Sequence, residues 1–358
     1  MPAARDADVV VVGGGITGVA TLRALAHTGV DAVLLEQFGL GHAHGSSHGT
    51  SRIFRLAYPE AMYSRLALQA RDGWRALEEE RGERLIVHTG AIDVGDEAAE
   101  VERTLRELGL DFELPSSADA EARWGLRFEA GLRPVYQPEG GYSLAERSHA
   151  ALTASARAAG GTFLEREPVL ELAAERDGVR VTTGAREIVA GAAVVAAGAW
   201  ARELVAQVGI ELPVTVARET VAYFALPGAD DLPPLIEYGS QTSPLPDDQA
   251  YYALPAPGRG LKAGIHHAGR RADPDEDGVP DPEVVEKTRA WLARRYPHAD
   301  PVPVGLETCL YTNTADETFV IERHDRIVVA SACSGHGFKF APLHGECAAA
   351  LARAAAAV

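Results

Sequence analysis

The chain has 358 residues, of which 46% are hydrophobic and 24% charged, an ordinary balance for a globular protein with room for two domains. Asp and Glu outnumber Lys and Arg by 51 to 34, which gives a formal net charge of −17. So acidic a chain is a poor partner for nucleic acid or an anionic membrane surface, because both need a basic footprint.

The first predicted elements form a βαβ unit. A β-branched run over residues 8–12 predicts a buried strand, a helical stretch then runs to about residue 27, and residues 32–36 predict a second strand. No charged leader with a long apolar segment precedes this unit, so secretion is not expected. No later segment approaches the apolar length of a membrane span.

Three glycines lie between the first predicted strand and the helix, at the spacing G-x-G-x-x-G. Gly13 permits a tight turn, Gly15 lets a pyrophosphate approach the backbone, and Gly18 allows the helix and strand to pack closely. Glu36 ends the second strand, where it can accept hydrogen bonds from a ribose and disfavours a 2′-phosphate. The alternative is a plain strand–helix turn, and the motif alone does not choose between NAD and FAD.

The middle of the chain is rich in strands, whereas helix and strand alternate at both ends. The later predicted elements are an amphipathic helix over 63–77, a strand with a turn over 85–94, a mixed stretch to 147, three strands over 168–190, a buried strand over 193–198, strands over 212–312 with a helix near 283–295, a buried strand over 327–332 and a helix over 347–357. This order predicts an α/β fold (α+β overall), in which a nucleotide-binding domain of separated segments carries a second domain inserted in two pieces.

Residues 45–55 (GSSHGTSRIFR) contain two arginines three positions apart. On one helical turn Arg52 and Arg55 would share a face, and a solvated helix start is one interpretation. The Gly- and Ser-rich approach instead indicates backbone packed against a ligand. Three nearby histidines have no matching acid or cysteine spacing, so no metal site is expected at His42, His44 and His48.

Together these segments resemble the monomeric sarcosine oxidase family. The strings GGGITG (13–18), GSSHGTSRIFR, CLYTNTADETF (309–319) and SGHGFKF (334–340) occur in the family's order, and the similarity runs over essentially the whole chain. The family includes N-methyl-tryptophan oxidase and pipecolate oxidase, within the D-amino-acid-oxidase-like flavoproteins. The string SSHGTSR, the pair His266–His267 and CLYTNT resemble the pipecolate oxidases most.

The resemblance implies a Rossmann-type FAD-binding domain of the glutathione-reductase type, interleaved with a sheet-based substrate domain. The FAD-binding domain is expected over residues 1–84, 148–211 and 315–358, and the substrate domain over 85–147 and 212–314. A monomer is expected. The sparse, odd set of cysteines (Cys309, Cys333 and Cys347) is no disulfide framework, so a reducing cytoplasm is expected.

The resemblance also implies a covalent cofactor. Cys309 matches the residue that carries FAD as an 8α-S-cysteinyl flavin, in keeping with the nucleophilicity of a thiolate. Cys333 and Cys347 are expected to be inert thiols. Besides the glycine loop and Glu36, FAD contacts are implied for Ile16, Thr17, Ser47, Ser51, Arg52, Val169, Gly198, Trp200, Gly335, Gly337, Phe338 and Lys339.

By the resemblance, Arg55 and Lys339 match the pair that holds the substrate carboxylate. In this role a guanidinium fork gives bidentate recognition, and an ammonium adds a point charge. Arg52 matches a cation beside the flavin ring, where it would stabilise negative charge. His48 is expected to hydrogen-bond the cofactor or the neighbouring arginines.

Lys262 matches the lysine credited with activating O₂, and His266 matches a pocket histidine. Tyr252 matches a pocket tyrosine, but the stretch up to Lys262 is one residue shorter than in sarcosine oxidases, which makes Tyr251 a rival. Tyr311 is expected in the same pocket. For these tyrosines a place in the core is the alternative.

The implied reaction oxidises the C–N bond of a small amine that carries a carboxylate. Hydride goes to flavin N5, and O₂ reoxidises the flavin to give hydrogen peroxide. The alternatives are a flavin dehydrogenase with another acceptor, an NAD-dependent dehydrogenase, a non-catalytic binding protein, or an oxidase that tailors an amino-acid-derived natural product. The candidate substrates are sarcosine-like N-methyl amino acids, cyclic imino acids such as pipecolate or proline, and aromatic or biosynthetic amines, and the sequence does not decide among them. The sequence stops at Val358 in an alanine-rich predicted helix and lacks the short C-terminal tail that family members usually have.

Overall fold

The computed structural model describes residues 5–239, 249–331 and 334–357. Cys333, and Ala332 at the end of the strand predicted over 327–332, lie outside the described residues. Within the described ranges, no helix is both long and apolar enough to cross a membrane.

The described chain contains eight α-helices and nineteen strands, and several strands follow one another directly in its middle part. The helices are α1 (Ile16–His27), α2 (Ala61–Arg81), α3 (Ala98–Glu107), α4 (Ser117–Trp124), α5 (Ala145–Ala158), α6 (Ala201–Ala206), α7 (Pro282–Arg295) and α8 (Ala341–Ala356). The strands are β1 (Ala7–Val12), β2 (Ala32–Glu36), β3 (Ser51–Phe54), β4 (Ile86–Val87), β5 (Ala91–Val94), β6 (Val135–Gln137), β7 (Gly141–Leu144), β8 (Thr162–Glu165), β9 (Val169–Glu175), β10 (Gly178–Thr183), β11 (Glu187–Val195), β12 (Thr215–Phe224), β13 (Leu235–Tyr238), β14 (Ala250–Ala256), β15 (Gly260–His266), β16 (Arg270–Arg271), β17 (Pro303–Asn313), β18 (Val320–His324) and β19 (Ile327–Ser331).

The first large sheet has the order β18-β19-β11-β1-β2-β8, with β10 and β9 continuing antiparallel from β11. Its central strands are parallel, and β1 is an almost continuous run of valine because both faces of the sheet are covered. Val9 and Val11 pack in the cluster that includes α1 and α8, while Val10 packs on the opposite side with β10 and α6. This mixed α/β arrangement confirms the predicted fold class.

The second large sheet has the order β16-β12-β15-β14-β13-β5-β6, and β17 pairs with β12. Alternate residues of β12 face opposite sides. Ala222 and Phe224 pack with Trp291 of α7, whereas Tyr223 packs on the other side with Val221. That second side carries Lys262 and Cys309, so this sheet positions one wall of the cavity described below.

A small three-stranded sheet, β3-β7-β4, corrects the helical interpretation of Arg52 and Arg55. Residues 51–54 form a strand that pairs with residues 141–144, so Arg52 and Arg55 are not held on a helical turn. The local spacing fits a helix equally well, but the long-range pairing with β7 decides the conformation.

Other boundaries also differ from the predictions. The third of the strands predicted over 168–190 and the strand predicted over 193–198 form one strand, β11. Its early residues pair with β10, and its later residues pair with β1 and β19. The segment 85–94 is split between two sheets, as β4 and β5. The mixed stretch contains α3 and α4, and α8 begins at Ala341 because Pro342 is compatible with a first helical turn. The βαβ unit and α7 lie within two residues of their predicted positions.

Candidate functional site

One cavity of about 1280 Å³ runs between the two large sheets and the small sheet. Its volume exceeds the usual range of roughly 300–1,000 Å³ for small-ligand pockets, as an elongated dinucleotide requires. The residues expected to contact FAD or the substrate all line it except Gly18 and Tyr251, the rival of Tyr252. We call the end at the glycine loop the nucleotide end, and the end at Arg55, Tyr58 and Lys339 the amine end.

The glycine loop forms the nucleotide end through its lack of side chains. Gly13 has a φ of +108°, and a Cβ there would lie 2.5 Å from the Ala196 carbonyl oxygen. A Cβ at Gly18 would lie 1.9 Å from the Gly13 carbonyl oxygen, so Gly18 packs helix against strand rather than facing the cavity. The Ile16 N–H donates to Ser47 Oγ at 2.9 Å, which ties residues 45–50 to the start of α1.

Glu36 is buried at the end of β2 and accepts two backbone hydrogen bonds. Gly14 N–H donates to its Oε2 at 2.6 Å and Phe38 N–H to its Oε1 at 2.8 Å, and His42 Nε2 lies 3.4 Å from Oε1. Burial opposes its ionisation, but the hydrogen bonds from His42, Phe38 and Gly14 outweigh it, and the pKa of Glu36 lies below its usual value. Glu36 therefore presents an ionised carboxylate at the nucleotide end of the cavity.

His149 is a cavity residue that the sequence reasoning missed. It lies on α5, and its Nε2 is 2.8 Å from the Gly14 carbonyl oxygen, which can only accept, so the ring donates. Burial lowers the pKa of His149 and keeps the ring neutral. Its only sequence signal is a histidine on the apolar face of a helix, which does not point to a ligand.

Two of the three clustered histidines, His42 and His44, stay together with ring centroids 5.7 Å apart, and both pack against Phe38. His42 lies beside Glu36, and the His44 ring stacks on Phe38 with centroids 4.2 Å apart. Val169, Gly198 and Trp200 also line this part of the cavity. Trp200 Nε1 donates to Asp275 at 2.7 Å, which fixes the indole.

Arg52 holds the backbone of the preceding loop. Its guanidinium donates to the carbonyl oxygens of Ser46 at 2.7 Å, His48 at 2.6 Å and Ser51 at 2.8 Å, and it lies 5.6 Å from the Phe338 ring centroid. Burial and the Arg52 charge lower the pKa of His48 to about 4, so the ring is neutral. His48 Nε2 is buried without a hydrogen-bond partner among the described residues, as expected of a group that contacts a cofactor.

The amine end brings Arg55 and Lys339 to the same phenol. The Arg55 guanidinium lies 4.2 Å from the Tyr58 ring centroid, and Lys339 Nζ donates to Tyr58 Oη at 2.8 Å. Lys339 Nζ also donates to the His336 carbonyl oxygen at 2.9 Å. Burial and the adjacent Arg55 charge lower the pKa of Lys339 well below its usual value.

Arg55 has partners that the sequence reasoning did not identify. Its Nη1 donates to Asp93 Oδ1 at 2.5 Å and to Tyr238 Oη, and Asp93 is fully buried. Burial works against the Arg55 charge, but Tyr238 and Asp93 outweigh it and hold the pKa of Arg55 above its usual value. The readable signal was an acid inside the apolar strand β5, and it went unused.

Lys262 and Cys309 lie on the sheet wall between the two ends. Lys262 is 7% exposed. Burial and the Arg52 charge lower the pKa of Lys262 to about 7, while Cys309 and Glu307 act in the opposite direction. Cys309 is half-buried on β17 and pairs with Glu219 across the sheet. Cys347 is exposed on α8, which is not part of this sheet wall.

A second group missed by sequence reasoning surrounds Glu307. Tyr223 Oη donates to Glu307 Oε2 at 2.7 Å, and Arg259 donates to Glu307 Oε1. Tyr223 is also the cross-strand partner of Lys262. The Arg259 guanidinium lies 3.5 Å from the Tyr223 ring centroid. Glu307 therefore supplies a fixed negative charge beside Lys262.

The two rival tyrosines face opposite sides of β14. Tyr252 lines the cavity, whereas Tyr251 stacks on Trp291 with ring centroids 5.0 Å apart in the core. Tyr311 and His266 line the cavity with ring centroids 5.5 Å apart. Gly335 has a φ of +76°, and a Cβ there would lie 2.2 Å from the Tyr311 ring, so glycine allows the loop to approach.

The chain is similar to known flavoenzymes over nearly its whole length. The family model described as FAD dependent oxidoreductase matches residues 8–351. The chain is 35% identical to the peroxisomal sarcosine oxidase of Mus musculus, over 95% of this chain and 90% of that enzyme. It is 30% identical to the N-methyl-L-tryptophan oxidase of Escherichia coli, over 96% of this chain and 94% of that enzyme. The solved structure of NikD, an unusual amino acid oxidase essential for nikkomycin biosynthesis, matches with a TM-score of 0.88 and 30% identity, over 98% of this chain and 94% of that one.

Proposed function

The chain belongs to the family of FAD dependent oxidoreductases, and on that premise we propose that it oxidises the C–N bond of a small secondary or cyclic amine that carries a carboxylate. The observation that carries this proposal is the cavity itself. Its nucleotide end is built for a pyrophosphate and a ribose, and its amine end holds two basic side chains, the partly buried Arg55 and the buried Lys339. The relatives' names, sarcosine oxidase and N-methyl-L-tryptophan oxidase, give the same substrate class.

The described residues fit FAD. Gly13 allows the tight turn against Ala196, and Gly15 brings no side chain to the start of α1, where the pyrophosphate would approach. Glu36 presents an ionised carboxylate, and His48 keeps a buried nitrogen without a hydrogen-bond partner among the described residues. When bound, FAD supplies the hydride acceptor, its N5 atom, and then the two electrons that reduce O₂ to H₂O₂.

At the amine end, the substrate carboxylate binds between Arg55 and Lys339. Asp93 and Tyr238 fix the guanidinium from behind, which leaves its orientation set before substrate arrives. Burial lowers the pKa of Lys339, and the negative charge of a bound carboxylate favours the charged form of the lysine. Two cations also disfavour the ammonium form of the bound amine, so the free base is the form that is oxidised.

The wall of the cavity supplies the remaining roles. Cys309 carries the flavin as an 8α-S-cysteinyl group, and Arg52 places a fixed charge where negative charge accumulates. Lys262 stabilises the negative charge that develops on O₂. Tyr252, Tyr311 and His266 exclude water beside the reacting carbon.

The proposal also covers the domain boundaries, the oligomeric state and the cellular compartment. The FAD-binding domain comprises 1–84, 148–211 and 315–358, and the substrate domain 85–147 and 212–314. In support, all strands of the first large sheet fall in the first set and all strands of the second large sheet in the other. The protein acts as a monomer, and its sparse cysteines favour a reducing compartment such as the cytoplasm.

One alternative has its own support. The similarity to NikD favours an oxidase that tailors an amino-acid-derived intermediate in natural-product biosynthesis. A flavin dehydrogenase on the same scaffold would share the amine end but pass electrons to another acceptor.

The test is a peroxide-coupled assay of purified flavin-loaded protein with sarcosine, other N-methyl amino acids, L-proline and L-pipecolate. We expect substrate to bleach the flavin and to yield one H₂O₂ per amine oxidised. Bleaching that is reversed only by a dye acceptor indicates the dehydrogenase, and no bleaching by any carboxylate-bearing amine contradicts the proposal.

A further inference from the structure

Two adjacent histidines turn their rings to the same side at the end of β15. In an extended strand, neighbouring side chains point to opposite faces. His267 instead has a φ of +58°, and its ring centroid lies 3.9 Å from that of His266. A left-handed conformation at a residue other than glycine costs on the order of 1–3 kcal/mol and is typical of functional sites.

Glu317 faces this histidine pair from the loop after β17. It too has a left-handed conformation, with a φ of +59°. Its Oε1 lies 3.1 Å from His267 Nε2, and its Oε2 lies 3.8 Å from His266 Nε2. The backbone of Glu317 is anchored independently, since its carbonyl oxygen lies 3.1 Å from His336 Nε2 and accepts from Tyr63 Oη at 3.5 Å. Two strained segments of the chain therefore converge on one point.

The spacing of these atoms fits a metal ion. One ligand atom from each of His266, His267 and Glu317 lies within 4.8 Å of the others. Zinc binds nitrogen and oxygen at about 2.0–2.1 Å in a tetrahedron, which places neighbouring ligand atoms about 3.3 Å apart. The observed separations of 3.1 and 3.8 Å bracket that value. Two imidazoles and a carboxylate are also a ligand set that zinc uses, with a fourth position open.

A second carboxylate lies behind the pair. Glu219 is buried and is within electrostatic range of His267, and its Oε2 accepts from Gly269 N–H at 2.8 Å, two residues after that histidine. The negative charge of Glu219 favours a cation bound at His267. Glu219 thus braces the turn that brings His267 into the cluster.

We propose that His266, His267 and Glu317 bind one divalent transition-metal ion, of which Zn²⁺ is the best match, at the amine end of the cavity. His266 and Glu317 both line the cavity, next to Tyr311 and Gly335. An ion held there occupies the approach to Arg55 and Lys339 and excludes the amine. The site is therefore inhibitory, and this part of the inference rests on the proposed function.

The binding test uses flavin-loaded protein and ZnCl₂ alone, by isothermal titration and by metal analysis after gel filtration. We expect one zinc per chain. In His267→Asn and Glu317→Gln the affinity should fall by more than the roughly 10–100-fold that loss of an outer partner costs. Asparagine tolerates the left-handed conformation, and glutamine keeps the shape of Glu317 while removing its charge, so both variants should fold.

Two control variants separate this site from other zinc ligands. His324 lies 3.6 Å from Glu322 in an exposed pair with only two ligands, so His324→Gln should leave zinc binding unchanged. Cys347→Ser removes an exposed thiol and should also have no effect. No zinc retained by the wild type, or equal retention by His267→Asn, overturns the site.

Inhibition is measured separately with the amine identified by the peroxide assay. Zinc should raise KM without lowering kcat, EDTA should restore the rate, and His267→Asn should be active but insensitive to zinc. Zinc that binds stoichiometrically without raising KM overturns the inhibitory role. The binding assay needs no turnover, so failure of the proposed function and failure of the metal site give different results.

Discussion

The two ends of the cavity are built in different ways. The nucleotide end uses backbone groups and the four glycines of one short segment, residues 13–18, together with Glu36 at the end of the next strand. The amine end uses charged and polar side chains from distant segments: Arg55 follows β3, Asp93 is on β5, Tyr238 is on β13 and Lys339 lies just before α8. The first end depends on steric room, and the second on the pairing of charges.

The largest expected effect concerns steric room at the nucleotide end. In Gly18→Ala the added Cβ lies 1.9 Å from the Gly13 carbonyl oxygen, which neither helix nor strand can avoid. Overpacking of this kind costs about 3 kcal/mol or more, so Tm should fall by roughly 6–12 °C and bound flavin should be nearly lost. Thermal denaturation and flavin absorbance check this. Gly184→Ala is the matched control, because its Cβ meets nothing within 4 Å. Equal behaviour of the two variants would contradict the steric account.

The second prediction concerns the pairing of Arg55 with Asp93 at the amine end, which a substitution of Arg55 removes. Arg55→Met removes the carboxylate ligand and should lower kcat/KM by roughly 100- to 1000-fold, as loss of one partner of a buried charged contact does. It also leaves Asp93 buried and unpaired, which destabilises the fold by about 3–5 kcal/mol.

The double variant Arg55→Met, Asp93→Asn separates the two consequences. It should recover much of the lost stability without recovering activity, as urea denaturation and steady-state kinetics will show. Activity that returns together with stability would mean that Arg55 acts only through the fold.

The third effect concerns the sheet wall. Lys262→Met should leave flavin reduction by substrate nearly unchanged and slow reoxidation by O₂ about 100-fold, the size expected for loss of one preorganised charge. Stopped-flow absorbance resolves the two half-reactions. Lys287→Met is the control, because Lys287 is an exposed partner of Glu283 on α7. A slowed reductive half-reaction with normal reoxidation would assign Lys262 to the substrate instead.

The smallest expected effect concerns the negative charge of Glu307 beside Lys262 and the pH dependence of flavin reoxidation. The pKa of Lys262 is about 7, so the protonated, O₂-activating form is present below that pH, and reoxidation should slow as pH rises through it. Glu307→Gln removes a charge that raises this pKa, so the midpoint should move to lower pH. At pH 7.5 reoxidation should be several-fold slower than in the wild type, given that one pKa unit is tenfold in charged fraction. A midpoint that is unchanged or moves upward would contradict the role of Glu307.

The same contrast explains what could be predicted from sequence. The βαβ unit, its glycine loop and Glu36 were predicted, because a strand, a turn and a helix within 30 residues leave a local pattern. The helical interpretation of Arg52 and Arg55 was wrong, since pairing of β3 with β7, about 90 residues away in the chain, overrides local spacing. The single strand β11 was divided in two, because its early residues face solvent on one side and its later residues are buried on both.

The partners of Arg55 and Lys262 could not be predicted from the sequence. The acid inside the apolar strand β5 marks Asp93 as unusual, but nothing local pairs it with Arg55 or places Glu307 beside Lys262, because these neighbours come from segments far apart in the chain. The capping box of α4, in which Ser116 and Asp119 exchange hydrogen bonds, was a local signal that went unused.

The most direct measurement locates the flavin on the chain. Holoprotein is acid-precipitated, digested, and the yellow peptides are sequenced by mass spectrometry. The account predicts that the colour stays with the pellet and that the flavin is attached to the peptide containing Cys309, beside Lys262 on the sheet wall. Flavin released to the supernatant, or attached at Cys333 or Cys347, would contradict it.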